Sequence, residues 1–212
     1  MKIKWLGHSC FLISSDTGVR IVTDPFNEKV GYELPVVEAD IVTTSHGHYD
    51  HNNVSIVKGD YKHINMPGSV IEKGMEITGV LTFHDEAEGS KRGENVVFKF
   101  KVDGLNVCHC GDLGHILNEE QLDGLGKVDV LLIPVGGTYT IDALAACEVV
   151  KQLKPAVTIP MHFKTEVLGF PIDGVNNFLA KIGGGERVGS QEIKIDSENI
   201  GKLSKVIVLD YK

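Results

Sequence analysis

The sequence predicts an α/β fold in which two β-sheets stack face to face and helices cover the outside. Short runs of apolar and β-branched residues, bounded by glycine, aspartate or proline, dominate the first half and predict strands. Helical periodicity is clearest over 141–153, where apolar residues recur every three residues. The stretch 18–24 resembles 104–112, and 39–45 resembles 128–134, so two related halves would each contribute a sheet.

The elements follow from local patterns. Strands are predicted at 3–6, 10–14, 19–23, 41–44, 80–83, 96–102, 106–110, 130–134 and 157–160. Asp103-Gly104 joins two of these strands and is a strong hairpin signal. Besides the helix over 141–153, which Pro155 ends, helices are predicted over 118–125 and 174–182, the latter with Asp173 as its N-cap.

Bulk properties restrict the class of protein. The 212 residues carry no low-complexity linker and are interpreted as a single domain, 1–212. The net charge of −8 disfavours a polyanion-binding module, although bound cations would offset it in a nuclease. No signal peptide and no apolar run of about 20 residues is visible, so we expect a cytoplasmic protein with no membrane contact. The cysteines form no C-x-x-C pair and are expected to be buried free thiols.

Three histidines and an aspartate stand within six residues, in the run His46-Gly47-His48-Tyr49-Asp50-His51. Neutral imidazole and carboxylate are the usual ligands of zinc-like ions. The run follows a predicted strand, and in extended chain the side chains of residues i and i+2 point the same way. His46 and His48 can therefore hold one ion while Asp50 and His51 turn toward a second. A polar surface loop is the alternative, which the density of ligand side chains disfavours.

Further motifs accompany this run in an order that resembles a known family. They are Thr23-Asp24-Pro25, Phe83-His84, Cys110-Gly111-Asp112 and Pro160-Met161-His162. Together with His-x-His-x-Asp-His after an apolar strand, they identify the chain, by resemblance, as a member of the metallo-β-lactamase superfamily. The segments 7–9, 108–115 and 134–137 are most similar to the branch that contains L-ascorbate-6-phosphate lactonase.

The resemblance implies a four-layer αββα sandwich with a two-metal site at one edge of the stacked sheets. The ligands that it implies are His46, His48 and His84 for the first metal, Asp50, His51 and His162 for the second, and Asp112 as a bridge. Two dications about 3.5–4 Å apart would lower the pKa of a shared water and make it a hydroxide nucleophile, which Asp50 would orient. Zinc or manganese is expected, with iron or nickel as alternatives, because these ligands serve all of them.

Other histidines have both a structural and a functional interpretation. His109 competes with His84 for the first metal, but it would face the opposite side of its strand from Asp112. We therefore expect His109 to be structural or to orient a ligand carboxylate. His8 and His115 each follow a glycine near a strand end, and each is either a proton donor to the leaving group or a turn histidine.

Several residues outside the histidine set are candidates for supporting roles. Asp24 is expected to brace the metal loop rather than to bind a metal. Thr138, in a glycine-rich loop ahead of a helix, and Lys164, after the last histidine motif, are candidate contacts for an anionic substrate. Ordinary helix capping is the favoured alternative for that loop. The charged loop 85–93 is expected at the mouth of the site, with Arg92 as a candidate anion contact.

The sequence thus predicts a dinuclear metal-dependent hydrolase that acts on a small anionic substrate, a sugar-phosphate lactone or a phosphoester. The alternatives are a metal-dependent endonuclease and a non-catalytic metal-binding protein. Nucleic acid is disfavoured as a partner by the acidic charge. The glycine-rich stretch after residue 183 leaves a homo-oligomer open as a further expectation.

Overall fold

The computed structural model describes residues 1–211, in which the chain forms sixteen β-strands and three α-helices. In chain order the strands are β1 (Lys2–Gly7), β2 (Cys10–Ser14), β3 (Arg20–Thr23), β4 (Val37–Glu38), β5 (Ile41–Thr43), β6 (Val57–Lys58), β7 (Lys62–Ile64), β8 (Gly68–Glu72), β9 (Met75–Phe83), β10 (Glu94–Val102), β11 (Leu105–His109), β12 (Val130–Pro134), β13 (Val157–Met161), β14 (Glu186–Arg187), β15 (Glu192–Lys194) and β16 (Ile207–Val208). The α-helices are α1 (Glu119–Leu125), α2 (Ala143–Leu153) and α3 (Val175–Ile182). Short 3-10 turns lie at Glu28–Val30, Val54–Ile56 and Ile200–Lys202.

Two six-stranded mixed sheets make up most of the fold. The first has the order β15-β1-β2-β3-β5-β7, and the second has the order β13-β12-β11-β10-β9-β8. Each sheet combines antiparallel hairpins with three parallel strands, which are β3, β5 and β7 in one and β11, β12 and β13 in the other. The predicted α/β fold of two stacked mixed sheets is therefore confirmed.

One continuous core lies between the two sheets. It contains Trp5 and Phe11 from the first sheet and Phe98 and Phe100 from the second, each at most 1% exposed. Burial of a large apolar side chain contributes about 1.5–3 kcal/mol, so this interface supplies much of the driving force for folding. The four cysteines are buried and free, as the sequence predicts.

The outer faces of the two sheets are covered differently. Helix α1 packs against β9, and α2 packs against β12 and α3, so the helices lie on the second sheet. On the first sheet, Val22 and Val42 point away from the core and pack in a separate cluster with Phe26, Val30 and Leu168. These last residues belong to irregular segments and a 3-10 turn, which close the outer face of the first sheet.

The nine predicted strands and three predicted helices are all present, with bounds within two residues except that β9 begins at Met75 rather than at residue 80. The seven strands β4, β6, β7, β8, β14, β15 and β16 are not predicted, and most of them are only two or three residues long. Asp103 and Gly104 both adopt positive φ in the predicted hairpin between β10 and β11. Helix α2 begins at Ala143 rather than at residue 141 because the Asp142 carboxylate caps it. The prediction of Asp173 as the N-cap of α3 is wrong, since Gly174 is the cap residue. The Asp173 N–H instead donates to the Gly136 carbonyl, and its carbonyl accepts from the Lys164 N–H.

The repeat that the sequence suggests has a structural counterpart. Asp40 accepts from the backbone N–H of Arg20 at 2.8 Å, and its own N–H donates to the Arg20 carbonyl at 3.0 Å. Asp129 makes the same two contacts with Asn106, both at 2.9 Å. In each half, an aspartate therefore joins the starts of two neighbouring parallel strands.

None of the helices within residues 1–211 is long and apolar enough to cross a membrane.

Candidate metal centre

The strands that precede the predicted ligands all run toward one edge of their sheets. In the first sheet β1 and β3 are both antiparallel to β2, and β5 is parallel to β3. In the second sheet β9 and β11 are both antiparallel to β10, and β13 has the same direction as β11. The polar residues that follow these strand ends are His8 after β1, Asp24 after β3, His46 after β5, His84 after β9, Asp112 after β11 and His162 after β13.

At this edge, histidine and carboxylate side chains form three overlapping groups. In each group the candidate ligand atoms lie within 4.8 Å of one another. The outer group is His46, His48 and His84; the central group is His46, His51 and Asp112; the inner group is His8, Asp50, His51 and His162. The structure therefore brings together the seven predicted metal ligands and adds His8 to them.

Asp112 lies at the centre of the site and presents one carboxylate oxygen to each side. Oδ2 lies 3.1 Å from His84 Nε2 and 3.9 Å from His46 Nε2, on the side of the outer group. Oδ1 lies 3.2 Å from His51 Nε2 and 3.5 Å from His162 Nε2, on the side of the inner group. A carboxylate in this orientation can bridge two cations, with one oxygen on each.

Asp24 sets the orientation of two of the histidines. Its carboxylate accepts from the Ser45 N–H at 2.7 Å and the Ser45 hydroxyl at 2.6 Å, and His51 Nδ1 lies 2.8 Å away. The Ser45 hydroxyl in turn lies 2.9 Å from His46 Nδ1. If Nδ1 carries the proton in both rings, each Nε2 faces the site as a bare ligand atom, which is the usual role of such outer partners. Asp24 therefore lies behind the ligands.

Asn95 holds the turn that carries Asp112. Its Oδ1 accepts from the Asp112 N–H at 2.9 Å, and its Nδ2 donates to the Cys110 carbonyl at 3.0 Å. Gly111, between them, has φ of 55°, and a Cβ there would lie 2.4 Å from the Ser45 Cβ. Only glycine fits this approach, so the Cys110-Gly111-Asp112 turn can press directly against the histidine loop.

Three non-glycine residues at the site adopt left-handed backbone conformations. They are His8, Asp24 and His162, with φ of 52°, 40° and 49°. Such a conformation costs about 1–2 kcal/mol for an ordinary residue. The His8 carbonyl accepts from Trp5 Nε1 at 2.9 Å and from the His162 N–H at 3.2 Å, which holds the strained turn in place. Strain of this kind concentrates where side-chain direction matters for function.

Burial and neighbouring charge set the protonation of the site. Burial lowers the pKa of His46 and of His162 to about 3, so both rings are neutral near pH 7. Burial also opposes a charge on His51, but the carboxylates of Asp112 and Asp24 raise its pKa well above 6.5. For Asp112, burial opposes ionisation, yet His162 and His51 hold its pKa well below 3.8. Without metal, a proton on His51 therefore compensates the central carboxylates.

Unsatisfied buried atoms show that this site suits a cation. Within residues 1–211, His51 Nε2, His162 Nε2 and Asp112 Oδ1 are buried and have no hydrogen-bond partner. His51 Nε2 and Asp112 Oδ1 face each other as an ion pair at 3.2 Å, so the cost of an unsatisfied buried atom, about 1–3 kcal/mol, falls on His162 Nε2. Imidazole and carboxylate donors in this arrangement fit a divalent ion such as zinc or manganese.

His8 lies behind Asp50 and does not face the solvent. It is fully buried, and its Nε2 lies 3.3 Å from Asp50 Oδ2. Its ring packs 4.2 Å from that of His162, centroid to centroid. Burial lowers the pKa of His8, so its neutral ring can donate to Asp50. This placement suits a residue that positions Asp50 or adds a ligand to the inner group better than a proton donor to the leaving group.

Two other predicted histidines lie outside the three groups. His109 Nε2 donates to the Ser9 carbonyl at 2.7 Å and its Nδ1 accepts from the Gly111 N–H at 3.3 Å, so it supports backbone and bonds no ligand carboxylate. His115 Nε2 accepts from the Phe83 N–H at 3.1 Å, and its Nδ1 donates to the Ile116 carbonyl at 2.8 Å. Since both nitrogens of His115 bond backbone, its prediction as a proton donor is corrected to a structural role.

Lys164 and Thr138, the two predicted contacts for an anionic substrate, bond backbone carbonyls instead. Lys164 donates to the carbonyls of Leu168 and Phe170 and lines a separate cleft beside Trp5. The Thr138 hydroxyl donates to the Pro171 carbonyl at 3.2 Å. Amides of the Thr138 loop bond within the loop, and Asp142 caps the following helix, so ordinary capping describes this segment. Neither side chain reaches the metal groups.

A cleft of about 530 Å³ opens above the metal groups. Residues of the groups form its floor, and Tyr49, Tyr139, Phe170 and Arg92 form its walls. Phe170 packs edge-on against His8, 5.5 Å between centroids, and lies 6.0 Å from Tyr139. Of the wall residues, the sequence indicates only Arg92. The sequence pattern does not predict the roles of the aromatic wall residues or of Ser45. The one feature that could have indicated Asn95 is its position as a polar residue at the start of an apolar strand.

Comparison with known proteins agrees with this geometry. Residues 2–162 match the model of the beta-lactamase superfamily domain. A protein from Thermotoga maritima with a known crystal structure shares 43% sequence identity with this chain. It is described as a candidate zinc-dependent hydrolase of the metallo-β-lactamase superfamily. It superposes with a TM-score of 0.83 over 98% of this chain and 97% of that one. The chain belongs to the metallo-β-lactamase superfamily.

Two further proteins extend the comparison. A UPF0173 metal-dependent hydrolase from Thermoplasma volcanium is 31% identical over 191 residues, which cover 78% of this chain and 84% of the relative. The isothiocyanate hydrolase from Delia radicum gut bacteria is 14% identical, with a TM-score of 0.71 over 100% of this chain and 97% of that one. At that identity the likeness concerns the fold alone. The superfamily predicted from the sequence motifs is confirmed.

Proposed function

We propose that this protein is a metal-dependent hydrolase that holds two divalent ions and acts on a small anionic substrate, a sugar-phosphate lactone or a phosphoester. The observation that carries the proposal is the orientation of Asp112. One of its oxygens faces His84 and His46, and the other faces His51 and His162. A single-metal site needs no carboxylate between two sets of histidines. We infer that His46, His48 and His84 hold one ion, that Asp50, His51 and His162 hold the other, and that Asp112 bridges them.

Bound divalent ions supply Lewis acidity to a substrate oxygen and make a coordinated water acidic enough to attack near neutral pH. The protein's own groups do the rest. Asp50 is ionised because His8 and His51 hold its pKa below the usual 3.8 even though burial opposes its charge, so it can accept a proton from an attacking water. His8, 3.3 Å from Asp50 Oδ2, holds that carboxylate in position. Asp24 and Ser45 hold the ligand histidines.

The cleft supports a small substrate. Its volume of about 530 Å³ is within the usual range for small-molecule sites. Among residues 1–211, Arg92 is the single lysine or arginine that lines it. A nucleic-acid strand is normally bound through several lysine or arginine contacts to successive phosphates. One cation above the metal groups instead matches a molecule with one or two anionic groups, which favours the small-substrate hydrolase over the endonuclease.

Metal content tests the dinuclear site. After incubation with zinc or manganese, we expect about two metal equivalents per chain by elemental analysis. His48→Ala removes a ligand of the outer group and should leave about one equivalent and no turnover. His63→Ala is the matched control, because His63 bonds Thr44 and belongs to none of the groups. About one equivalent or fewer in the wild-type protein would contradict the dinuclear site.

A substrate panel tests the reaction class. Phosphorylated sugar lactones, simple phosphoesters, single-stranded RNA and single-stranded DNA should be assayed side by side with the metal-loaded protein. We expect turnover of a lactone or a phosphoester that His48→Ala abolishes. Hydrolysis of RNA alone would establish the endonuclease instead. Stoichiometric metal binding without turnover of any member would favour the non-catalytic metal-binding protein.

A further inference from the structure

The loop that follows the ligand His84 is anchored by its own first residue. The Asp85 carboxylate accepts four backbone N–H bonds at 2.7–3.1 Å, from Ala87, Gly89, Lys91 and Arg92. The ends of the loop are joined by the bond from the His84 N–H to the Gly93 carbonyl, at 3.0 Å. The backbone of Arg92 is therefore held at a fixed place relative to the metal groups, although the loop is largely exposed.

The side chain of Arg92 extends from this loop to the loop of Thr138 and Tyr139, at the rim of the cleft. Its Nη2 donates to the Thr138 carbonyl at 2.9 Å, and its guanidinium lies 5.8 Å from the centre of the Tyr139 ring. Among residues 1–211, no carboxylate lies within ion-pair distance of Arg92, whereas Arg20 pairs with Glu38. The Thr138 contact uses one N–H, and a guanidinium carries five. Arg92 therefore keeps donors for a ligand in the cleft.

The remaining walls of the cleft are aromatic. Tyr49 is half exposed, and Phe170 and Tyr139 pack edge to face against each other. These side chains can contact the body of a bound molecule but offer no second cation. The cleft thus has two polar ends, the metal groups at its floor and Arg92 at its rim, with an apolar wall between them.

We propose that Arg92 binds an oxyanion, a phosphate or a carboxylate, that the substrate carries away from the group being hydrolysed. This inference rests on the proposed function, because it places the reacting group near Asp112 and His48. A planar guanidinium forms two parallel hydrogen bonds with phosphate and carboxylate alike, so both are admissible. The substrate class is then a small ester, lactone or phosphoester with a second, non-reacting anionic group.

Three probes that differ at one end test this inference. Gluconate, glucarate and 6-phosphogluconate share a sugar-acid chain with one carboxylate, and the other end is a hydroxyl, a carboxylate or a phosphate. Binding to the zinc-loaded protein is measured by titration calorimetry. We expect glucarate or 6-phosphogluconate to bind about tenfold or more tightly than gluconate. The tighter of the two identifies the oxyanion.

Substitutions assign the preference to Arg92. Arg92→Gln should abolish it, so that the three probes bind with similar affinity, and Arg92→Lys, which keeps charge without the planar fork, should retain part of it. Arg187→Gln is the matched control, since Arg187 bonds Asn176 and lines a different cleft. If Arg92→Gln lowers the metal content, the probe preference of Arg92→Lys is compared with that of the wild-type protein instead.

Two results would overturn the inference: no preference in the wild-type protein, or a preference that survives in Arg92→Gln with its metal intact. The second result would mean that the added anion binds the metal ions. Wild-type protein with about one metal equivalent or less would contradict the proposed dinuclear function instead. The two proposals therefore fail on different measurements.

Discussion

Replacing Asp24 by asparagine tests how far residues behind the ligands determine metal affinity. The fully buried Asp24 carboxylate has three partners, the Ser45 N–H, the Ser45 hydroxyl and His51 Nδ1. Asparagine keeps the size of the side chain and one oxygen, which can still accept from the Ser45 N–H. Its NH₂ group, however, replaces the oxygen that faces His51. The hydroxyl of Ser45 can rotate and accept from this group, but a ring N–H cannot.

The consequence falls on the ring of His51. To avoid two facing N–H groups, its proton must move from Nδ1 to Nε2, the atom that lies 3.2 Å from Asp112 Oδ1. Nε2 then points a proton, rather than a lone pair, at the metal. Loss of an outer hydrogen-bond partner typically lowers metal affinity about 10–100-fold. That range corresponds to about 1.4–2.7 kcal/mol of binding free energy.

Competition with a chromophoric chelator measures the zinc affinity of each variant. Asp129→Asn is the control, because Asp129 is also buried and accepts a backbone N–H, from Asn106, but lies outside the metal groups. We expect Asp24→Asn to lose about 10–100-fold and Asp129→Asn to stay within about threefold of wild type. The reasoning is refuted if Asp24→Asn binds zinc as tightly as wild type, or if both variants lose affinity equally.

Three further predictions follow from the geometry. Asp112 and Asp24 raise the pKa of His51 well above 6.5, so the ring carries a second proton at pH 7, which must leave when a metal ion binds Nε2. We therefore expect metal affinity to rise with pH. Calorimetry in buffers of different ionisation enthalpy should show the release of about one proton. A pH-independent affinity would contradict this. Gly114→Ala places a Cβ 2.3 Å from the His84 carbonyl carbon, so we expect about 1–3 kcal/mol of destabilisation and a lower metal content. Gly169→Ala is the control and should change neither quantity, because Gly169 has open space around it. His115→Ala should keep full metal content and lose only about 1 kcal/mol of unfolding free energy, because its bonds go to backbone; a large loss of kcat with intact metal would restore its role as proton donor.

Patterns local in the chain predict the elements that carry the site. Apolar strands that end in His, Asp or Gly-Asp motifs already imply that ligands collect at strand ends, since strands that run the same way expose their ends at one edge. The hairpin at Asp103-Gly104 is equally local, because the residue types themselves permit positive φ. The superfamily follows from the same motifs.

Tertiary structure decides which polar atoms remain for chemistry. His115 and Lys164 have the residue types of functional groups, but backbone partners from other segments already use their nitrogens. Conversely, the inward direction of His8 depends on a strained turn that Trp5 and His162 hold. A sequence records which donors and acceptors exist, whereas distant packing determines which of them are satisfied.

The central feature of the site shows the same division. The chain by itself determined that His46, His48, Asp50 and His51 stand together, because their spacing is local. Only the stacking of the two sheets decided that Asp112, from the second sheet, turns one oxygen toward His46 and the other toward His51 of the first sheet. Only the strand order of the second sheet decided that Arg92 reaches the Thr138 loop at the rim of the cleft. Both arrangements join segments that are far apart in sequence, so their geometry depends on tertiary packing and not on local pattern.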